Sequence, residues 1–170
     1  GRSVDELTTL AQDFCRARLD RILVPTVVSE LHALIHAGVP AYIVTASPVE
    51  LAEAVSLTLG MSGFVGTRAE RRLGTYTGLL SGPICHGPAK FAAVRHLAAE
   101  EGVDLSSSWA FSDSLNDLPL LAAVGTPVAV NPNRRFAALA DKNGWGVLTA
   151  SGWERAPRVG RNITGWPSIA

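Results

Sequence analysis

Nothing in this chain encodes a disulfide framework: Cys15 and Cys85 are its only cysteines, and a reducing compartment suits them. Nor does charge favour one class of partner. Fifteen basic residues cancel fifteen acidic ones, and no charged tract marks a nucleic-acid or membrane surface. No apolar leader stands before Val4, and no apolar run approaches bilayer-spanning length. Repeats, low-complexity segments, a Gly-x-Gly-x-x-Gly turn and a P-loop are missing too, which argues against a nucleotide-binding module. These absences predict a cytoplasmic protein that touches neither nucleic acid nor membrane. Its 170 residues suffice for one domain with a sizeable core.

What is present alternates between helix and strand patterns. Val4, Leu7, Leu10, Ala11, Phe14 and Cys15 predict an amphipathic helix over 4–19. Val27, Val28, Leu31, Leu34 and Ile35 predict a second, closed by Gly38. His32 and His36 lie four apart on it, but no third ligand is in view, and they read as solvated. Val39 to Val44 reads as a buried strand. Ser47 and Glu50 then have capping-box spacing, with Pro48 at the first helical position. The helix that follows stops at Gly60. Phe64 to Thr67 and Tyr76 to Leu80 read as the two strands of a β-hairpin, with Glu70-Arg71-Arg72-Leu73-Gly74 as its solvated turn.

A further helix begins at His86-Gly87-Pro88 and runs to about Glu101. It puts Lys90 in the first turn, where the helix dipole disfavours a cation. Broken local rules tend to mark functional sites, and an anion or carboxylates sharing the site would explain this one. Cys85 and His86 read as loop residues. Val124 to Val130 leads into another buried strand, Arg134 to Lys142 into a helix, and Trp145 to Leu148 into a last strand. Over 151–170 glycine, proline and arginine are scattered without periodicity, predicting a flexible tail on which Trp153 and Trp166 dock loosely. Asn162-Ile163-Thr164 matches a glycosylation acceptor, with nothing to indicate secretion. The fold class is α/β with a mainly parallel sheet and right-handed crossovers.

The stretch Trp109 to Leu121 organises the rest. It opens as a buried strand and changes to helical spacing, and Ser112, Asp113, Ser114, Asn116 and Asp117 sit at the changeover. In open α/β sheets ligands bind beyond the carboxyl ends of strands. Two carboxylates and an amide there suit a hard cation such as magnesium. They equally suit a helix N-terminus, with Asp113 or Ser114 as cap and Asp117 complementing the dipole. Thr45 stands at the carboxyl end of its own strand, before a helix N-terminus whose free amides favour anions. A β-branched residue also simply suits a strand.

In order along the chain, Thr45, Lys90 and the Ser112-to-Asp117 cluster resemble motifs II, III and IV of the haloacid dehalogenase (HAD) superfamily. Phe111 to Leu121, Val124 to Pro132, the Gly144-Trp145 pair and Thr77-Gly78 are similar to its subfamily IB, the phosphoserine-phosphatase-like hydrolases. The resemblance spans roughly Pro25 to Leu148. It implies a Rossmann-like HAD core and magnesium-dependent hydrolysis of a small phosphorylated metabolite. An aspartate would take the phosphoryl group before water releases it. Thr45, the Ala46 amide, Lys90 and Asn116 would hold the phosphate. Thr45 and Lys90 would thereby serve catalysis, Asp113 would ligate magnesium, and Asp117 would support them.

The family's first motif, an apolar strand followed by Asp-x-Asp-x-Thr, has no counterpart. Asp5-Glu6-Leu7-Thr8-Thr9 comes nearest, but leucine replaces the second aspartate and no strand precedes it. The resemblance therefore implies a core over 25–150 without its central strand, a remnant of the helical cap over 1–24, and the tail over 151–170. Magnesium binding would be weak or lost. Two functions fit: a phosphatase, or its truncated C-terminal portion, whose nucleophile lies outside this chain; or an inactive relative that regulates by binding a phosphorylated ligand or a protein. Exposed strand edges would then serve a protein partner or self-association.

Overall fold

The computed structural model describes residues 1–157. Helix α1 (Val4–Ile22) starts with a full capping box: the Ser3 hydroxyl accepts from the Glu6 N–H, and the Glu6 carboxylate accepts from the Ser3 N–H. Its buried stripe is Ala11, Cys15 and Leu19, packed on Ala54 and Val55 of α3 (Val49–Thr58). Leu10 and Phe14, expected on that stripe, are exposed. Helix α2 (Pro25–His36) has Leu34 buried and both His32 and His36 exposed. It is tied to a segment 123 residues further along the chain by Thr26, whose hydroxyl donates to the Thr149 carbonyl at 2.7 Å.

Strand β1 (Tyr42–Pro48) pairs in parallel with β2 (Gly63–Thr67), so Phe64 to Thr67 is not the hairpin partner of Tyr76 to Leu80 that it was expected to be. The hairpin consists instead of β3 (Ala69–Arg72) and β4 (Thr75–Leu80), an antiparallel pair. Strand β3 is too short and too polar to show period-two alternation, so its sequence reads as turn. The turn itself is Leu73-Gly74, both at positive φ (47° and 77°). That geometry favours asparagine or aspartate in the first position, yet Leu73 stands there 99% exposed. Leu73→Asn is expected to stabilise the chain by ~0.5–1 kcal/mol in urea unfolding. An unchanged or lower midpoint would show that the turn carries no such strain.

Helix α4 (Gly87–Glu101) runs from the N-cap His86 to Gly102, whose left-handed conformation ends it. Then β5 (Trp109–Ser112), β6 (Thr126–Val130) and β7 (Gly146–Thr149) pair in parallel, in that order. A 3-10 turn (Leu115–Asp117), α5 (Leu118–Leu121) and α6 (Arg134–Asn143) connect them. Ala110, Leu121, Ala129, Phe136, Ala140 and Val147 form their core. Residues expected as the start of a loose tail form β8 (Gly152–Arg155), antiparallel to β7. The Trp153 indole N–H donates to Glu30 of α2 at 2.7 Å, which anchors that strand. Trp166 and the Asn162 sequon lie outside the described residues.

Beside the hairpin two separate sheets result: β1–β2, which is parallel, and β5–β6–β7–β8, which is parallel except for β8. Among the described residues no strand pairs with the outer edge of β1 or of β5. Buried backbone groups without partners cost about 1–3 kcal/mol each, so burying either edge would require a partner for it. No helix among the described residues is long and apolar enough to cross a membrane.

Candidate active site

Three chain segments carry the expected site residues, and a short run of polar contacts joins them. The first is the end of β1. Beyond Val44, which faces Val65, residues 45–47 leave the ladder, and pairing resumes only at Pro48 and Thr67. The Thr45 hydroxyl accepts the Ser47 N–H at 3.1 Å and folds this loop on itself. Gly66 lies beneath it; a Cβ there would sit 2.9 Å from the Val49 Cα. Thr45 is half-buried and Ala46 exposed.

Ser47 does not cap α3; Pro48 holds the N-cap position, and no side chain caps the helix. Glu50 has stronger partners than a cap would offer. Its buried carboxylate accepts from Arg71 and from the Tyr76 hydroxyl, each at 2.5 Å. The Arg71 guanidinium also lies 5.6 Å from the Tyr76 ring centroid. Arg71, expected in a solvated turn, thus clamps the hairpin to the helix that follows Thr45.

Burial alone would raise the Glu50 carboxyl, but hydrogen bonds from Tyr76, from backbone and from Arg71 outweigh it and hold the group below its ordinary 4.5. Burial, with the hydrogen bond to Glu50 next, pushes the Tyr76 phenol up to about 12. A depressed carboxyl stabilises the fold above its unfolded value, and that stability is lost as pH falls through the lower folded value. Glu50→Gln should therefore flatten the fall in melting temperature below pH 4.5, the ordinary value of the group. An equally steep acid limb in the variant would mean that other carboxyls control it.

The second segment is the start of α4. The Lys90 ammonium lies 2.7 Å from an Asp117 carboxylate oxygen, and both side chains are 12% exposed. The other Asp117 oxygen accepts the Ser112 hydroxyl at 2.8 Å. The cation at a helix N-terminus is thereby explained: a buried carboxylate offsets it. Close by, burial pushes the Cys85 thiol up while the Lys90 charge pulls it down. Raised overall, it is no activated nucleophile, as its loop reading implied.

The third segment is the turn after β5. Ser114 caps it, its hydroxyl accepting from the Asn116 N–H at 3.2 Å. Asp113 and Asn116 are exposed. Asp113 has no ion pair or hydrogen bond among the described residues, so its carboxylate is free for a cation. Asp117 is not, since both its oxygens are engaged. No group of three or more potential ligands gathers among the described residues. These residues alone thus do not make a hard-cation site, which needs several oxygens.

A family model for haloacid dehalogenase-like hydrolases matches residues 1–122. The chain belongs to this family. It is 39% identical over 166 residues to the phosphoserine phosphatase SerB1 of Mycobacterium tuberculosis, covering 94% of this chain and 52% of that protein. It is 34% identical to the inhibition of morphological differentiation protein of Streptomyces azureus, covering 98% of this chain and 59% of that one. The chain spans about half the length of the curated relatives it matches. Among solved structures, a protein of unknown function from Bordetella pertussis Tohama I superposes with a TM-score of 0.79 at 30% identity. That match covers 88% of this chain and 68% of the other. A substrate-bound phosphoserine phosphatase superposes with a TM-score of 0.55 at 21% identity, over 67% of this chain and 54% of that one, a likeness of fold. The chain is thus a HAD-family, phosphoserine-phosphatase-like α/β protein.

Proposed function

We propose that this chain carries the phosphate-binding half of a HAD phosphomonoester hydrolase. Its aspartate nucleophile and acid–base would lie on a strand outside these 170 residues, seated between β1 and β5. The buried Lys90–Asp117 pair carries the reading, because a lysine held there by a carboxylate is the charge a phosphoryl group needs. Thr45 and the Ala46 amide would bind phosphoryl oxygens at the open end of β1. Asn116 would contribute from the opposite turn. Lys90 would offset charge on the phosphoryl group, and Asp117, with Ser112 behind it, would keep the ammonium in place. Little bond-making falls to these residues; they position and neutralise.

Asp113 would provide one oxygen to magnesium, with the rest supplied from outside the chain. When bound, the ion would supply further neutralisation of phosphate charge. The substrate class is a small phosphorylated metabolite. The test is a chimera joining this chain to the upstream half of the mycobacterial relative. Turnover of an aryl phosphate that Lys90→Met abolishes supports the reading. A folded chimera without Lys90-dependent turnover contradicts it. A second reading is a regulatory binder of phosphorylated ligands or protein, since no strand among the described residues ends in a pair of aspartates. A phosphate-binding but inactive chimera would select it.

A further inference from the structure

The loop at residues 45–47 and the segment leading to Lys90 meet at one side chain. Thr67 ends β2 beneath the loop. Its hydroxyl donates to the Ala46 carbonyl at 2.7 Å. The same oxygen accepts the Cys85 N–H at 3.0 Å, five residues before Lys90. Looping out has taken Ala46 from the β1–β2 ladder, so the Thr67 hydroxyl stands in for a ladder bond. Gly66 beside it leaves the room this requires, since a Cβ would come within 3.0 Å of the Ser47 carbonyl oxygen.

We infer that Thr67 is a positioning residue that sets the Thr45–Ser47 loop and the Cys85–Lys90 segment in register with each other. Fixing the Ala46 carbonyl fixes the plane of the following peptide and limits rotation of the one before it. Holding the Cys85 amide sets where the chain enters α4, and hence where its first turn presents Lys90. A hydroxyl can do both because it donates once and accepts besides. The inference rests on the phosphate-site reading and deepens it. Thr67 itself touches no phosphate.

Calorimetric titration of the 170-residue chain with inorganic phosphate tests this, using Thr67→Val, Thr67→Ser and Lys90→Met. Valine keeps the shape and removes the hydroxyl; serine keeps the hydroxyl. Phosphate affinity is expected to fall about tenfold in the valine variant, and to stay within about twofold in the serine variant, the scale of one or two hydrogen bonds. Equal affinity in Thr67→Val and wild type, with or without a lower melting temperature, overturns the inference. A wild-type chain that binds phosphate no better than Lys90→Met instead overturns the phosphate-site reading. Amide NMR then still decides about Thr67. Resonances of residues 45–47 and 85–90 should shift together in Thr67→Val and hold in Thr67→Ser. Changes confined to one of the two segments would sink the coupling.

Discussion

Given an aryl phosphate and magnesium, this chain alone should show no turnover above background. An ordinary kcat is on the order of 10 s⁻¹, and losing a nucleophile together with its acid–base removes at least about 10⁴-fold. The residues that remain bind and neutralise; none is placed to take a phosphoryl group. Cys85 is a buried thiol with its acidity suppressed, and Asp117 is committed to Lys90 and Ser112. Asp113 is the one carboxylate at the site with no partner among the described residues. Turnover that Asp113→Asn abolishes would therefore show that another carboxylate substitutes for the absent nucleophile, and the proposed division of labour would be wrong.

Replacing Lys90 by methionine is expected to cost ~3–5 kcal/mol of stability, because it strands the buried Asp117 carboxylate. Domains hold only about 5–15 kcal/mol in all. In a chain of this size the loss corresponds to a melting temperature lowered by roughly 6–20 °C. The penalty belongs to the unpaired charge and not to the lysine as such. The double variant Lys90→Met with Asp117→Leu should accordingly recover most of it, while phosphate binding stays lost. Single and double variants that melt together with wild type would mean that the pair is solvated.

The α/β alternation, the presence of both helices near the N-terminus and the α4 boundaries were legible because each depends on local period and capping, although Leu10 and Phe14 of the first expected stripe are exposed. So was the oddity of Lys90. Its dipole conflict announced a partner, and Asp117 is that partner. The sequence reading failed where distant residues outcompete local ones. Ser47 and Glu50 have capping-box spacing, yet a guanidinium and a phenol arriving from the hairpin draw the carboxylate away. The hairpin was misplaced because β3, Ala69-Glu70-Arg71-Arg72, has no apolar alternation, and because Leu73-Gly74 lacks the usual turn residue. Strand β8 escaped for the same reason, its Trp153 finding Glu30 across 123 positions of chain. Thr67 left no signal at all: its importance depends on a loop in one strand and an amide eighteen residues away.

The separate sheets give the strand proposed to lie outside this chain a physical meaning. Strands β1 and β5 lead into Thr45 and Asp113, the residues proposed for the site, and each has an edge that no described strand pairs. A strand seated between them would satisfy both edges and bring its own carboxyl end between Thr45 and Asp113. That seating would add carboxylates where this chain offers only one to a cation.

The central claim, that the segments bearing Thr45, Lys90 and Asp113 form one phosphate site, is tested most directly by following backbone amides in NMR during a titration with inorganic phosphate. Saturable shifts clustered at residues 45–47, 87–90 and 113–116, and lost in Lys90→Met, are the predicted result. Shifts that never saturate, or that cluster at other arginines and survive Lys90→Met, would contradict it.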